Sequence, residues 1–201
     1  SEGRSGAQLL ADAIAAARKV DAVVFIGGLN KGDHQDSEGA DRLQLGLPYG
    51  QDAVIGALAE ANPNLAVVFV SGNAVAMPWI DRVPAVLEAW YSGSEAGNAL
   101  ADVLFGAVNP SGKLPFTFPV RLEDCSAHSA GEYPGEGQVV YRDGIFVGYR
   151  WIEKERIEPL FAFGHGLSYT TFDIANVRAD RTSLATTGRL RVSADVTNTG
   201  G

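Results

Sequence analysis

Apolar residues recur along this chain first at helical spacing and then in short unbroken runs, and the alternation of the two predicts its elements. Over residues 7–18, Leu9, Leu10, Ala13, Ile14 and Ala17 fall three to four apart, the spacing of a helix with one apolar face. Asp21–Gly28 is an apolar run that closes in Gly27–Gly28. Leu65–Val70 and Ala85–Tyr91 are further runs of the same kind. Bounded by turn residues, they predict strands buried on both faces of a parallel sheet. Pro48 stands where a first helical turn tolerates proline, and Gln51–Ala61 behind it predicts a helix stopped by Asn62–Pro63–Asn64. Ala96, Leu100, Val103 and Leu104 mark one face of another helix, which ends at Gly106 and the turn Asn109–Pro110–Ser111–Gly112. Strand and helix in alternation predict a parallel sheet with right-handed crossovers.

The pattern changes after Gly112. Lys113–Pro119 is extended and flanked by prolines, and residues 120–137 lack periodicity, which predicts a surface loop. Val139–Tyr141 and Val147–Trp151, on either side of Asp143–Gly144, predict a β-hairpin. Pro159–Tyr169 is aromatic and punctuated by glycine. From Phe172 onward the pattern is all-β, with Arg189–Val196 alternating at a period of two. The chain opens Ser1–Glu2–Gly3–Arg4 without methionine and closes within a strand pattern, so we expect a piece of a longer polypeptide.

Composition narrows the classes of function. With 46% hydrophobic and 20% charged residues the chain is globular in character. A formal net charge of −8 provides no basic footprint for nucleic acid or for an anionic membrane surface. No run approaches the ~20 apolar residues of a membrane span. The one cysteine, Cys125, permits no internal disulfide and is expected to be an inert thiol, which leaves periplasmic, extracellular and cytoplasmic locations all open.

The densest chemistry lies in Leu29–Arg42, behind the first predicted strand. Four carboxylates, Asp33, Asp36, Glu38 and Asp41, share this loop with His34. Loops at strand ends are where α/β proteins place binding and catalytic groups. Gly27–Gly28 does not open a phosphate cradle, because no GxGxxG leads into a helix and carboxylates would repel a pyrophosphate. The acidic residues do not follow the order of a calcium loop, and His34, His128 and His165 lack zinc spacing, so neither metal nor cofactor is expected. No GxSxG elbow is present. A carboxylic acid on a loop that is partly desolvated over substrate suits proton transfer to a glycosidic oxygen, with a second carboxylate attacking or activating water. Glu38, between Ser37 and Gly39, has the longest reach for that role. Asp41 and Arg42 are expected to pair and fix the loop. Solvated loop charge is the competing reading for each of these residues.

Several segments, in order along nearly the whole chain, resemble the C-terminal half of glycoside hydrolase family 3, the β-glucosidase family. They are Ser37–Glu38–Gly39–Ala40–Asp41–Arg42, Leu45–Gln51, Ala89–Gly97, Asn109–Pro119, Gly148–Trp151 and Phe163–Phe172. The resemblance implies an α/β fold, a three-layer α/β/α sandwich with a mostly parallel sheet, over residues 1–171. It also implies the start of a fibronectin type III-like β-domain over 172–201. In the family this domain packs beside a (β/α)8 barrel that carries the nucleophile, and Glu38 matches the acid/base glutamate of the Glu-Gly-x-Asp-Arg loop. Asp36, Asp41 and Arg42 are then expected to support the loop or touch substrate. The implied function is that of a retaining β-glycosidase acting on terminal β-D-glycosyl residues of β-glucosides or short oligosaccharides. Its partner is the missing barrel, and the isolated piece is expected to lack turnover. The alternative is a non-catalytic carbohydrate-binding or interface module that shapes the acceptor site. Trp90 and Tyr91 are expected mainly to pack, with sugar stacking as the alternative. His165 is expected to pack and Glu95 to sit at a helix start.

Overall fold

The computed structural model describes residues 3–133, 135 and 137–201. Ser1 and Glu2 of the opening, and Pro134 and Glu136 of the segment expected to be a surface loop, lie outside the described residues. The chain divides into two compact units, Ser1–Ala101 with Lys113–His165, and Asp102–Gly112 with Gly166–Gly201.

The first unit begins with helix α1, Gly6–Ala17. Ser5 starts it with a reciprocal cap: its hydroxyl accepts from the Gln8 amide at 3.3 Å, and the Gln8 side chain accepts from the Ser5 amide at 2.8 Å. Strands β1 (Val23–Gly28), β2 (Leu65–Val70) and β3 (Ala85–Glu88) pair in that order, all parallel. Helix α2, Gln51–Ala61, lies between β1 and β2 in sequence and spans the predicted residues. The register sets Phe25 beside Val67, and Val67 beside Val86. Successive side chains point to opposite faces, so Val23, Phe25, Leu65, Val67, Phe69 and Val86 share one face. That face packs on Ile55 and Leu58 of α2 and on Val75 and Trp79. Trp79 lies 5.6 Å from the Phe69 ring and donates its indole N–H to Asp52 at 2.9 Å, so the buried polar atom is satisfied. Buried Asn62 donates to the carbonyls of Ala17 and Val20, both at 2.9 Å, and ties the end of α2 to the end of α1.

The opposite face differs from expectation. Val68, on the central strand, is fully buried, but Val24 and Ile26 on β1 are 48% and 60% exposed. Among the described residues β1 is therefore covered on the face of Val23 and Phe25 and open on the face of Val24 and Ile26. An apolar run reports apolar side chains on both faces, not that both faces are covered.

Strand β3 also ends early. Trp90 has φ 52°, in the left-handed region that a bulky residue rarely adopts, and extended pairing cannot continue through it. Beyond it, helix α3 spans Ala96–Leu104 as the spacing predicts, with Glu95 just ahead of it accepting from Asn98 at 2.6 Å. Among its described residues, the segment expected as loop contains a 3-10 turn at Leu122–Asp124 and helix α4, Ser126–Ser129. Asp124 is buried there and bonded to the backbone and side chain of Arg121. Cys125 is half-buried, and burial, with Asp124 and Glu123 beside it, pushes its thiol up.

The expected hairpin is absent. Asp143–Phe146 forms a turn, with the Phe146 amide donating to the Asp143 carbonyl, and Tyr149–Glu155 is helix α5. Gly148, at φ 58° and ψ −130°, turns the backbone out of any extended path at the helix start. Valine and aromatic residues favour strands only where a pleated surface receives them. Here Ile152 is buried from a helix, and Lys154 lies over the rings of Phe146 and Trp151. Phe118 and Phe161 form an isolated antiparallel bridge. His165 packs on Phe161, ring centroids 4.9 Å apart, in the packing role expected for it.

In the second unit, β4 (Phe172–Ala179) and β5 (Val192–Asn198) pair antiparallel with an irregularity between Ala175 and Arg178. β5 starts three residues after the predicted strand. Asn109 is more than a turn residue: its carbonyl accepts from the Tyr169 amide at 2.8 Å, and its amide donates to Ser168 at 2.9 Å.

Candidate active site

Because β1, β2 and β3 run parallel, the segments that leave them emerge at one edge of the sheet. The first is the acidic loop, the second Ser71–Ala74, the third Ala89–Ser92. Together they enclose a cleft of about 310 Å³ lined by Lys31, Asp36, Asp41, Arg42, Gly72 and Tyr91 among others.

The loop is fastened from below. At its root, the Gln51 side chain on α2 mimics a neighbouring strand: its carbonyl accepts from the Gly28 amide at 2.8 Å, and its amide donates to the Gly28 carbonyl at 2.9 Å. Gly28 itself has φ +130°, and a Cβ there would lie 2.1 Å from the Val70 carbonyl oxygen. Only glycine permits this approach. Buried Gln35 accepts from the Asn30 amide at 3.1 Å and donates to the Tyr49 hydroxyl at 2.8 Å. His34, in a left-handed conformation, meets the Asp41 carbonyl at 3.0 Å through Nδ1.

Asp36 is the centre of the cleft. Its Oδ2 accepts from the Gly72 amide at 2.6 Å and from the Tyr91 hydroxyl at 2.8 Å, linking all three strand-end segments. Burial first, then the bond to Asp36, push the Tyr91 phenol up to about 12. Lys31 lies over the face of the Tyr91 ring, 4.9 Å from its centroid. Gly72 leaves little room: a Cβ there would lie 3.1 Å from the Tyr91 ring and 3.4 Å from Asp36.

Asp41 and Arg42 do not pair with each other. Arg42 reaches inward and donates to the carbonyls of Ala74 and Leu45, both at 2.7 Å. Burial pulls its guanidinium down, while Asp36 and Tyr91 push it back up. Asp41 instead accepts from the Tyr133 hydroxyl. Backbone carbonyls in a half-buried site need a donor, and Arg42 supplies one to each of two. The sequence spacing brought the two charges together; the fold separates them.

Glu38 stands apart from the cleft lining. It is exposed, in a turn closed by the Ser37 hydroxyl on the Ala40 carbonyl at 2.9 Å, and it has no hydrogen bond or ion pair among the described residues. The structure therefore brings Asp36, Asp41 and Arg42 together and leaves Glu38 on the rim. Trp90 packs edge-on against Phe116 and Phe118, while Tyr91 is 41% exposed in the cleft.

Sequence reading missed Glu88. At the end of β3 its Oε1 accepts from the Trp90 amide at 3.0 Å, and its Oε2 lies 3.1 Å from the Ser71 hydroxyl. Burial raises its carboxyl to about 7, and the charge of Asp36 adds to the rise. The signal was a lone carboxylate inside the apolar run Val86–Trp90, since a charge in a buried strand is rare without a partner. A larger cavity of about 600 Å³, lined by Thr117, Tyr149, Ile152, Arg156 and Phe163 among others, shares no residue with the acidic loop.

The glycosyl hydrolase family 3 C-terminal domain model matches residues 4–169. The β-glucosidase BoGH3A of Bacteroides ovatus is 50% identical over 94% of this chain and 26% of its own length. Thermostable β-glucosidase B of Acetivibrio thermocellus is 45% identical over 96% of this chain and 25% of its own. Among solved structures, the β-glucosidase DesR of Streptomyces venezuelae, in complex with D-glucose, superposes with a TM-score of 0.88 at 42% identity. It covers 96% of this chain and 24% of that one. The Kluyveromyces marxianus β-glucosidase reaches 0.91 at 39% identity, over all of this chain and 24% of that one. The chain thus spans about a quarter of the length of the relatives it matches. With a parallel sheet whose strand ends gather an acidic cleft, and a family match over most of its length, this chain belongs to the glycosyl hydrolase family 3 C-terminal domain family.

Proposed function

We propose that this chain is the part of a retaining, β-glucosidase-like glycoside hydrolase that supplies the acid/base carboxylate, and that Glu38 is that carboxylate. Glu38 protonates the glycosidic oxygen as the leaving group departs. It then takes a proton from the water that releases the glycosyl-enzyme. A retaining enzyme needs a second carboxylate about 5–5.5 Å away, and the resemblance to the family implies that this nucleophile lies on a (β/α)8 barrel of the same polypeptide. Residues 1–171 form the α/β/α sandwich in this reading, and 172–201 open a fibronectin type III-like domain.

The observation that carries the reading is the contrast within the loop. Asp36 and Asp41 are held by hydrogen bonds, whereas Glu38 is exposed in a closed turn with no partner among the described residues. An acid that must reach out of its own domain has to be held at the backbone and free at the carboxylate. Asp33 is equally unpartnered and exposed, but it is a methylene shorter and lies outside the Glu-Gly-x-Asp-Arg pattern. Tyr91, Lys31 and Asp36 offer an aromatic face and polar groups to the sugar on the leaving side.

The test is Glu38→Ala in the complete polypeptide. Turnover of substrates with poor leaving groups should fall by about 10²–10⁴-fold, the usual worth of a general acid. Activated aryl glucosides should lose less, and azide should restore part of the rate. Unchanged turnover would sink the proposal. A raised KM at unchanged kcat would favour the non-catalytic module instead.

A further inference from the structure

We propose that Glu88 is a positioning residue that sets Tyr91 against Asp36 and so fixes the loop bearing Glu38. The inference rests on the reading of Glu38 above for its effect on catalysis, and on hydrogen-bond geometry for the rest.

The geometry contains a proton count. The Ser71 hydroxyl lies 3.0 Å from the Asn73 carbonyl and 3.1 Å from Glu88 Oε2, yet it has one proton to give. If Glu88 is ionised, Ser71 serves one of them; Asn73 is exposed to solvent, and the carboxylate keeps the bonds from the Trp90 and Ser71 backbones. If Oε2 carries a proton, it donates to Ser71, Ser71 donates to Asn73, and Oε1 remains free to accept from the Trp90 amide at 3.0 Å. Every group is then satisfied. Burial raises the carboxyl and the charge of Asp36 adds to the rise, while the bonds from Trp90 and Ser71 pull it down, and the balance stands at about 7. Tyr91 is the other titratable group facing Glu88, and Arg42 faces Tyr91.

The bond to Trp90 has a mechanical result. Trp90 is held at φ 52°, a conformation that persists only when its surroundings over-determine it. Glu88 Oε1 holds its amide, and Phe116 and Phe118 hold its ring. That kink turns the next residue, Tyr91, into the cleft, where its hydroxyl reaches Asp36 at 2.8 Å. Asp36 also donates its amide to the Asn30 carbonyl at 3.0 Å, and Glu38 follows two residues later. Glu88 does not touch the cleft contents; it acts through Trp90, Tyr91 and Asp36.

Glutamine keeps the contacts of Glu88 here. Its amide can donate to Ser71 while its carbonyl accepts from Trp90. In the complete polypeptide, Glu88→Gln should keep kcat within about twofold. Glu88→Ala should lower kcat at least tenfold on poor leaving groups with little change in KM. A folded Glu88→Gln that loses tenfold or more overturns the proposal, as does an unimpaired Glu88→Ala alongside an impaired Glu38→Ala.

A second readout needs no activity. Difference titration against Tyr91→Phe reports the Tyr91 phenol, which stands at about 12 against an ordinary 10.0. Both substitutions at 88 remove the charge, but only alanine removes the support. The phenol should therefore titrate lower in Glu88→Ala than in Glu88→Gln; coincident curves overturn the positioning role even if Glu38 is not the acid. Should the alanine variant fail to fold, Glu88→Met fills the space without an acceptor and carries the same comparison.

Discussion

At the scale of single residues, the raised carboxyl of Glu88 has a consequence for stability as well as for the cleft. Its pKa is about 7 when folded against 4.5 as the ordinary value. A group that binds its proton more tightly when folded contributes most below its unfolded value, and that contribution is lost as pH rises through the folded value. The window is therefore about pH 4.5 to 7, and the sign is destabilising toward alkaline pH. At about 1.4 kcal/mol per unit, the full loss is about 3–3.5 kcal/mol. Urea unfolding at pH 5 and pH 8 should show wild type losing more stability than Glu88→Gln; parallel losses would show that the carboxyl is not held in this way. Other residues were legible from sequence alone. The loop was recognisable because carboxylates crowd it, and Glu38 stood out through the pattern it shares with a family. Arg42 was misread because adjacency in sequence is a poor guide to pairing when buried carbonyls compete for the same guanidinium. Glu88 was passed over because it sits in an apolar run.

At the scale of elements, Gln51 is the joint that couples α2 to β1. Its single amide group both accepts from and donates to Gly28, and donates again to the Pro48 carbonyl at 3.1 Å. Gln51→Ala leaves the Gly28 amide without this acceptor and should cost about 1–3 kcal/mol in chemical denaturation. Gln51→Glu keeps the acceptor but loses both donors, so it should recover only part. A glutamate variant as stable as wild type would show that the donors do not matter. Helices α1, α2 and α3 and the central strand were legible from period and the turn residues that bound them, because local spacing fixes them. The hairpin expected over 139–151 was not: whether valines and aromatics lie in a strand or a helix depends on which surface receives them, and sequence period does not carry that. Exposure of Val24 and Ile26 was equally hidden, since burial of a strand face depends on what lies over it.

At the scale of the whole molecule, the chain brings an exposed candidate acid, Glu38, and a set of fastened polar groups to a single sheet edge. It spans about a quarter of its relatives. On the proposed division of labour, the purified chain should not turn over an aryl β-glucoside, whatever the pH. Hydrolysis at a rate near that of a complete enzyme would mean that both carboxylates lie within these residues, and Asp33, Asp36 and Asp41 would be the next to test.

The backbone of Trp90 also bears on how this domain can change over generations. A single-base change converts a tryptophan codon to glycine, the one residue at ease with φ 52°. That step would release strain of order 1–3 kcal/mol but forfeit an indole packed on Phe116 and Phe118, a loss of about 3–5 kcal/mol for a large aromatic. The other residues within one base change, arginine, leucine, serine and cysteine, keep the strain and give up packing as well. Position 90 is thus a local optimum with no downhill exit by one substitution, and drift in this lineage should leave it fixed while the exposed residues around it vary.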